Sequence, residues 1–309
     1  MGELSDLAGR RVLVTGGSGF IGARVVALGV ARGAQVTAVS REGAAVPGAR
    51  SLAVDLRDAD AVARAVRLAA PAAILHLAAA GVCGDALPLS ELVRVNVLGL
   101  ANLLDAARDL VPGPDIVISG SGAEYAPQDR PISEADPVAP VTAYGIAKSA
   151  ASLCAAWYAS AMPVTILRFF NVYGEGESRT RLIPTIVRDT VAQRPVRLTS
   201  GEQLRDFVHV DDAATCMWRA LERPAAAGSL RVLNVGSGAP VRLRAFVEAV
   251  LRILRDAGHE PQVVFGARPL RPGEAMTYVA DTARVRRALA WTPTIAMDDG
   301  LRRAVESLL

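Results

Sequence analysis

Residues 141 to 148, with the sequence VTAYGIAK, place a tyrosine and a lysine four positions apart among small side chains. If this segment is helical, Tyr144 and Lys148 lie on one face, one turn apart. A nearby ammonium group favours the phenolate and lowers a tyrosine pKa from about 10 towards neutral. Tyr144 could then give or take a proton at neutral pH. The same spacing also fits a tyrosine ring that packs beside a solvated lysine, and the other motifs decide between the two interpretations.

A glycine-rich turn near the N-terminus predicts a phosphate-binding loop. The stretch RVLVTGGSGFIGARVVALGVARG orders a strand, a turn and a helix, and Gly16, Gly19 and Gly22 fit the spacing G-x-x-G-x-x-G. Glycines there allow a tight turn and let a pyrophosphate approach the N–H groups of the helix N-terminus. A second predicted strand, QVTAVS, follows, so we expect a dinucleotide-binding unit rather than a plain glycine turn.

The end of that second strand indicates which cofactor binds. An acidic residue there would bind the ribose 2′-hydroxyl of NAD, whereas an arginine can pair with the 2′-phosphate of NADP. The chain has Ser40 and Arg41, which favours NADP(H), although Glu42 and its loop leave NAD(H) possible and Arg41 could simply be solvated. Asp55, at the next strand end, could accept a hydrogen bond from the adenine amino group or cap the following helix.

The order of apolar segments predicts the fold class. Short β-branched runs alternate with longer Ala/Leu-rich segments up to about residue 170, which indicates a doubly wound parallel sheet, the Rossmann α/β fold. The pattern then loosens, and RVLNVGS predicts a late return to the sheet. We expect a dinucleotide-binding domain over 1–170 and about 201–236, and a smaller C-terminal substrate-binding lobe over about 171–200 and 237–309.

The composition predicts a soluble, cytoplasmic protein without nucleic-acid or membrane partners. The 309 residues are 51% hydrophobic, enough for a sizeable core, and the net charge of +3 is small. The arginines are interspersed with acidic residues, so no basic patch for nucleic acid is indicated. Cys83, Cys154 and Cys216 lack C-x-x-C spacing, which predicts buried thiols and no metal site. No segment has the pattern of a signal peptide or of a membrane span.

Ten motifs, taken together, resemble the extended short-chain dehydrogenase/reductase family, also called NAD-dependent epimerase/dehydratases. Their order and spacing cover nearly the whole chain. They are TGGSGFIG, DLRD, HLAA at 76–79, NVLG at 96–99, ISGSGAEY at 118–125, YGIAK at 144–148, LRFFNVYG at 167–174, RDFVHVDD at 205–212, LNVGSG at 233–238 and RPGE at 271–274.

The resemblance implies roles for the acid and base groups. Tyr144 would exchange a proton with a reacting sugar oxygen, and Lys148 would lower its pKa and bind the nicotinamide ribose. Ser121 would be the third catalytic residue, with a hydroxyl that donates to the substrate oxygen as charge develops. Ser119 is the runner-up for this role and is better explained as a cofactor contact. His76, at a strand end beneath the cofactor, is expected to have a structural rather than a catalytic role. The predicted cofactor-binding set is Gly16, Gly19, Phe20, Ile21, Gly22, Ser40, Arg41, Asp55, Leu56, Leu77, Ala78, Ala79, Asn96, Ser119, Tyr144 and Lys148.

The resemblance also implies a nucleotide-diphosphate sugar as the substrate. Asn171 would contact the diphosphate, and Arg205 and Arg271 would lie near the nucleotide; with Ser121 they form the predicted substrate-binding set. The planar fork of arginine pairs well with phosphate. Either arginine could instead form an ion pair, for example with Asp206 or Glu274.

One difference from the family pattern reduces the number of reactions that this chain is expected to catalyse. Nucleotide-sugar 4,6-dehydratases carry an acidic pair directly after the catalytic Ser or Thr, where this chain has Gly122 and Ala123. Glu124 is one position too far along, and such an offset would direct its side chain elsewhere. A dehydratase is therefore disfavoured.

Three functions remain. The favoured one is a 4-ketoreductase of a nucleotide-activated 4-keto-6-deoxyhexose, because Arg41 indicates NADP(H). The alternative is an NAD-dependent 4-epimerase, which uses the same Ser, Tyr and Lys set. A non-catalytic nucleotide-binding member is less consistent with that intact set. The resemblance implies a homodimer, and its four-helix interface would be formed by the apolar segments ELVRVNVLGLANLLDAARDL and SAASLCAAWYASAM.

Overall fold

The computed structural model describes residues 7–82, 87–270 and 273–309. Its strands are β1 Arg11–Thr15, β2 Gln35–Ser40, β3 Arg50–Ala53, β4 Ala73–His76, β5 Asp115–Ser121, β6 Val164–Phe169, β7 Val172–Tyr173, β8 Val196–Arg197, β9 Leu204–Arg205, β10 Val208–His209, β11 Leu230–Val235, β12 Val241–Arg242, β13 Val263–Val264 and β14 Thr277–Tyr278.

The helices alternate with the long strands in the first part of the chain and dominate the last part. They are α1 Phe20–Ala31, α2 Ala59–Ala69, α3 Leu89–Val93, α4 Gly99–Arg108, α5 Ala143–Tyr158, α6 Leu182–Val191, α7 Val210–Glu222, α8 Leu243–Asp256, α9 Ala283–Leu289 and α10 Met297–Glu306. A π-helical turn, Arg94–Leu98, joins α3 to α4, and a 3₁₀ turn, Gly122–Glu124, follows β5.

Seven parallel strands form the central sheet in the order β11-β6-β5-β4-β1-β2-β3. Strands such as β4 and β6 are buried throughout, as expected for a parallel sheet covered by helices on both faces. The strand order reverses at β1 and β4, and ligands of doubly wound folds bind beyond the carboxyl ends of the strands at such a point. The predicted fold class is confirmed.

Two layers of helices cover the sheet. Helices α1 and α7 share one core cluster with it, and α2, α4 and α5 share another on the opposite face. Between α1 and α7 the buried indole of Trp218 donates to the Val25 carbonyl oxygen at 2.9 Å. The same ring lies so close to Gly29 that a side chain there would overlap it. This contact fixes the helix that follows the glycine loop.

The later part of the chain builds a smaller layer around Phe246, with α6, α8 and α10 in one apolar cluster. Strand β9 pairs with β12 and β14 and so brings residues near 205, 241 and 277 together. Although β9 falls within 201–236, its partners both lie after residue 237. The domain boundaries stay a prediction. Over the described part of the chain, no helix is long and apolar enough to cross a membrane.

Candidate active site

The glycine loop between β1 and α1 has the shape of a phosphate cradle. Gly16 has a φ of +68°, and a Cβ there would lie 2.7 Å from the backbone nitrogen of Ala78. A Cβ on Gly22 would overlap the carbonyl oxygen of Gly16. Gly19 is the N-cap of α1, and within the described chain no side chain caps this helix and no acid occupies its first turn. Its first N–H groups are therefore available to an anion such as a pyrophosphate.

A cavity of about 630 Å³, here the glycine-loop cavity, extends from this loop along the ends of β1, β2 and β4. It is lined by predicted cofactor residues: Gly16, Gly19, Ser40, Arg41, Asp55, Leu56, Leu77, Ala78 and Ala79. Its position at the strand-order reversal and its cradle of glycines fit a dinucleotide.

The residues predicted to choose the cofactor lie at the far end of the glycine-loop cavity. The Arg41 side chain is 73% exposed, and its guanidinium lies 3.7 Å from the Glu42 carboxylate. The Asp55 carboxylate accepts from the Arg57 guanidinium at 2.6 Å, which lowers the pKa of Asp55. The cap of α2 is Asp58, not Asp55, so the capping alternative for Asp55 is not what the structure shows.

The three residues predicted to act on the substrate meet at a second cavity of about 470 Å³, the central cavity. Ser121 ends β5, while Tyr144 and Lys148 lie in the first turns of α5. The hydroxyl of Thr142 begins that helix by accepting the Gly145 N–H at 3.0 Å. Other predicted cofactor residues that line this cavity are Gly16, Gly19, Phe20, Ile21, Gly22, Leu77, Ala79 and Ser119.

Lys148 is buried, and its ammonium donates to the Ser119 carbonyl oxygen at 2.5 Å. Burial lowers the pKa of Lys148 to about 8, and the Glu124 carboxylate opposes this shift. Burial and the charge of Lys148 lower the pKa of His76 to about 3, so this imidazole is neutral. It hydrogen-bonds the Thr15 hydroxyl at 2.8 Å and thus joins the ends of β1 and β4.

We expect catalysis to weaken as the pH rises through about 8, because Lys148 then loses its proton. A lysine is charged below its pKa, so the charge that favours the Tyr144 phenolate is lost on the alkaline side. The pH profile of kcat/KM measures this effect, and the alkaline limb should disappear in Lys148→Met. A parent profile that stays level across pH 8 would contradict the role of this charge.

Glu124 is fully buried, and three donors occupy its carboxylate. Oε1 accepts the Ser121 N–H at 2.8 Å, and Oε2 accepts the Ser152 hydroxyl at 2.7 Å and the Arg168 Nε at 2.8 Å. Glu124 is also absent from the described lining of the central cavity. Held in this way, the Glu124 carboxylate is not placed to act on a ligand in the central cavity. The exclusion of a dehydratase stays a prediction.

Asn96 packs against Ala80, in the segment after β4, and is absent from the described lining of the glycine-loop cavity and of the central cavity. Its side-chain oxygen accepts the Ala80 N–H at 2.8 Å, and its amide donates to the Ala80 carbonyl oxygen at 3.2 Å. These bonds join the π-helical turn to the segment after β4. A direct cofactor contact by Asn96 stays a prediction.

Tyr278, which the sequence analysis did not predict, also lines the central cavity. Strand β14 places its phenol beside Ser121, and the ring packs on Phe170 with centroids 4.7 Å apart. Burial raises the pKa of Tyr278, and a hydrogen bond with Ser121 opposes the rise. The phenol is therefore neutral at physiological pH and forms part of the polar group around Ser121.

A third cavity of about 420 Å³, the lobe cavity, adjoins the central cavity. Asn171, Glu177 and Arg181 line both. The Asn171 amide donates to the Asp206 carbonyl oxygen at 2.8 Å. The charged residues described around the lobe cavity are Glu177, Arg181, Arg197, Arg205, Arg268 and Glu274. The excess of arginine suits an anionic ligand such as a diphosphate.

Of the two arginines predicted to bind the nucleotide, Arg205 lines the lobe cavity and Arg271 lies outside the described residues. The Arg205 guanidinium donates to Glu274 at 2.9 Å and to the Ala275 carbonyl oxygen at 2.8 Å. The ion pair with Glu274, weighed above as an alternative, is thus present. A contact between Arg205 and a nucleotide stays a prediction.

These features match a known family. The model of the NAD dependent epimerase/dehydratase family matches residues 12–236, and this chain belongs to that family. The UDP-glucose 4-epimerase of Corynebacterium glutamicum is 30% identical and aligns with 92% of this chain and 91% of its own. The dTDP-glucose 4,6-dehydratase of Streptomyces niveus is also 30% identical, over 96% and 92% of the two chains.

Solved structures share the fold. MoeE5, in complex with UDP-glucuronic acid and NAD, has a TM-score of 0.84 at 30% identity and covers 96% of this chain and 98% of its own. MoeE5 has also been solved with UDP-glucose and NAD. The predicted family and the prediction of an enzyme of this type are therefore confirmed, and the relatives named here are a 4-epimerase, a 4,6-dehydratase and MoeE5, which was solved with NAD.

Proposed function

We propose that this protein is an NAD-dependent nucleotide-sugar 4-epimerase. The observation that carries the proposal is the meeting of Ser121, Tyr144 and Lys148 at a cavity beside the glycine loop. The carboxylate nearest to Ser121 in the chain, that of Glu124, is occupied by internal hydrogen bonds. This arrangement supports alcohol and ketone interconversion and gives no support to dehydration.

The residues can perform the proton chemistry of such a reaction. A nicotinamide dinucleotide supplies the hydride chemistry when bound. Tyr144 takes the proton of the C4 hydroxyl and returns it when the alcohol forms again, while the charge of Lys148 favours the phenolate. Ser121 donates a hydrogen bond to the C4 oxygen, which stabilises the charge that develops there.

The second candidate, a 4-ketoreductase, is favoured by Ser40 and Arg41 at the end of β2, where an acid would select NAD. Its substrate would be a nucleotide-linked 4-keto-6-deoxyhexose reduced at C4. None of the relatives named above carries this activity in its name, so we place it second.

Product analysis separates the two candidates. The epimerase should convert UDP-glucose to UDP-galactose, detected by NMR, with no net change in nicotinamide absorbance. The reductase should consume NADPH with a panel of dTDP-, UDP-, GDP- and CDP-4-keto-6-deoxyhexoses and leave UDP-glucose unchanged. Consumption of NADPH without any 4-epimerisation across matched nucleotides would reject the epimerase.

Cofactor preference has its own test at Arg41. We expect Arg41→Ala to weaken NADPH binding by about 10-fold and NADH binding much less, because only NADPH presents the 2′-phosphate. Fluorescence titration of both cofactors measures the difference. Arg67→Ala, an exposed arginine of α2, is the matched control. Equal losses for both cofactors would exclude Arg41 as a phosphate reader, and a parent preference for NAD would favour the epimerase further.

We also propose that the enzyme acts as a homodimer in the cytoplasm. Leu153 and Trp157 of α5 are 73% and 76% exposed and lie one turn apart, an unusual exposure for large apolar side chains. Leu98, in the π-helical turn beside α4, is also exposed. These residues belong to the two segments from which the four-helix interface is predicted.

Negative charges on the exposed face of α5 that carries Leu153 and Trp157 should dissociate the dimer. We expect the double variant Leu153→Glu with Trp157→Glu to change a dimer into a monomer, because carboxylates cannot be buried there without partners. Light scattering after size-exclusion chromatography measures the mass. Val111→Glu, at a 97% exposed position outside these helices, should keep the mass of the parent. A parent that is already monomeric would disprove the dimer.

A further inference from the structure

Glu177 has a buried carboxylate oxygen without a partner. Its side chain is 6% exposed, and Oε1 accepts from the Arg181 Nε at 3.1 Å. Among the described residues, nothing donates a hydrogen bond to Oε2. Burial raises the pKa of Glu177, and the charge of Arg181 opposes the rise. A buried acceptor left without a donor costs free energy, so such an atom on a residue that lines a cavity points to a donor that arrives with a ligand.

The position of Glu177 shows which ligand group would meet it. Glu177 lines both the central cavity, with Tyr144, and the lobe cavity, with its excess of arginines. The other buried atoms without a partner in the described chain belong to Thr190, Gln203 and Arg231, which line none of the three cavities. Under the proposed function the sugar fills the central cavity, so its hydroxyl groups are the donors within reach.

The charges around the central cavity limit what else the sugar can carry. The charged residues described in its lining are Lys148, Glu177 and Arg181. Lys148 is bonded to the Ser119 carbonyl oxygen, and Arg181 is bonded to Glu177 and to the Val172 carbonyl oxygen. A sugar carboxylate would meet the Glu177 charge inside a protein cavity, where like charges repel more strongly than in bulk water.

We propose that Glu177 determines which sugar binds. Its Oε2 accepts a hydrogen bond from a hexose hydroxyl, and its charge excludes nucleotide-linked uronic acids. This inference rests on the proposed function, because it assumes that a nucleotide sugar fills the two cavities. It assigns this chain to neutral sugars, although the related MoeE5 has been solved with UDP-glucuronic acid as well as with UDP-glucose.

Equilibrium binding to the NAD-loaded protein tests the inference without relying on turnover. By calorimetry, the parent should bind UDP-glucose at least about 10-fold more tightly than UDP-glucuronic acid, the scale of one charge-assisted hydrogen bond. Glu177→Gln keeps the shape but removes the charge, so its two affinities should come within a few-fold of each other. Glu177→Asp keeps the charge and should still exclude the uronate while it binds UDP-glucose less tightly.

A control on the same loop separates this effect from a general loss of structure. Glu175 is paired with His209 and Arg303 and is absent from the described lining of all three cavities. Glu175→Gln should keep the affinity ratio of the parent. An unchanged ratio in Glu177→Gln, or equal affinities in the parent, would overturn the inference and leave the proposed function standing. A parent that binds neither ligand would reject both.

Discussion

Replacing Tyr144 by phenylalanine is expected to lower turnover by about 100-fold or more while NAD still binds, the usual scale for the loss of a positioned acid or base. Tyr144 lies at the central cavity, one turn before Lys148 on α5. Phenylalanine keeps the ring and its packing, so the loss reports the hydroxyl alone.

Turnover of UDP-glucose, the substrate of the proposed epimerase, is followed by NMR. NAD affinity is followed by fluorescence, so the two properties are measured separately. Tyr158→Phe is the matched control, because it removes a hydroxyl from the far end of the same helix, outside the described lining of the central cavity. Turnover of Tyr144→Phe within a few-fold of the parent would remove Tyr144 from the mechanism.

Replacing Glu124 by glutamine is expected to lower the free energy of unfolding by about 3–5 kcal/mol, the scale for breaking a buried ion pair. Glu124 and Arg168 are both buried, with 2.8 Å between Oε2 and Nε. Glutamine keeps the size of the side chain, but it leaves the guanidinium without a counter-charge in the core. The turn that carries Ser121 also loses its charged acceptor.

Urea unfolding of both proteins measures the difference. Asp298→Asn is the matched control, because it makes the same chemical change in a pair with Arg252 whose side chains are 68% and 59% exposed. The control should cost less than about 1 kcal/mol, as surface pairs do. If the two substitutions cost the same, the Glu124 pair does not stabilise the core.

The sequence predicts the parts of the site that local patterns encode. The glycine spacing requires backbone without side chains, and the structure shows that Gly16 and Gly22 leave no room for a Cβ. The spacing of Tyr144 and Lys148 follows helical periodicity, so one short segment carries both residues. The parallel sheet follows from the alternation of strands and helices, which needs no long-range information.

Contacts between distant segments could not be predicted in the same way. Tyr278 reaches Ser121 only because β14 pairs with β9, and neither two-residue strand has a periodicity that a sequence could show. Glu177 lies in a stretch rich in glycine and charge, where a buried carboxylate resembles a solvated one. An acid followed four residues later by Arg181 was the available signal, and this spacing is common on helix surfaces.

The ion pair of Glu124 is another contact that the sequence could not predict. Its offset from Ser121 was enough to argue against a dehydratase, but its partner Arg168 is 44 residues away on the next strand. A lone charge in an otherwise apolar sequence does not identify its counter-charge, because pairing depends on strand neighbours and register. The sheet order places β6 beside β5 and thereby joins the two residues.

The N-cap position of α1 affects thermal stability and ligand affinity in opposite directions. A Cβ on Gly19 would meet only the Gly16 carbonyl oxygen at 3.1 Å, so the protein itself tolerates a side chain there far better than at its neighbouring glycines. Aspartate or serine at this N-cap would make the helix more stable by a few tenths of a kcal/mol. Either side chain would also occupy the donors that an anion needs, and aspartate would repel that anion. Screens that select for thermal stability alone should therefore enrich capping residues at position 19. The selected proteins would have a higher melting temperature and a lower affinity for the cofactor.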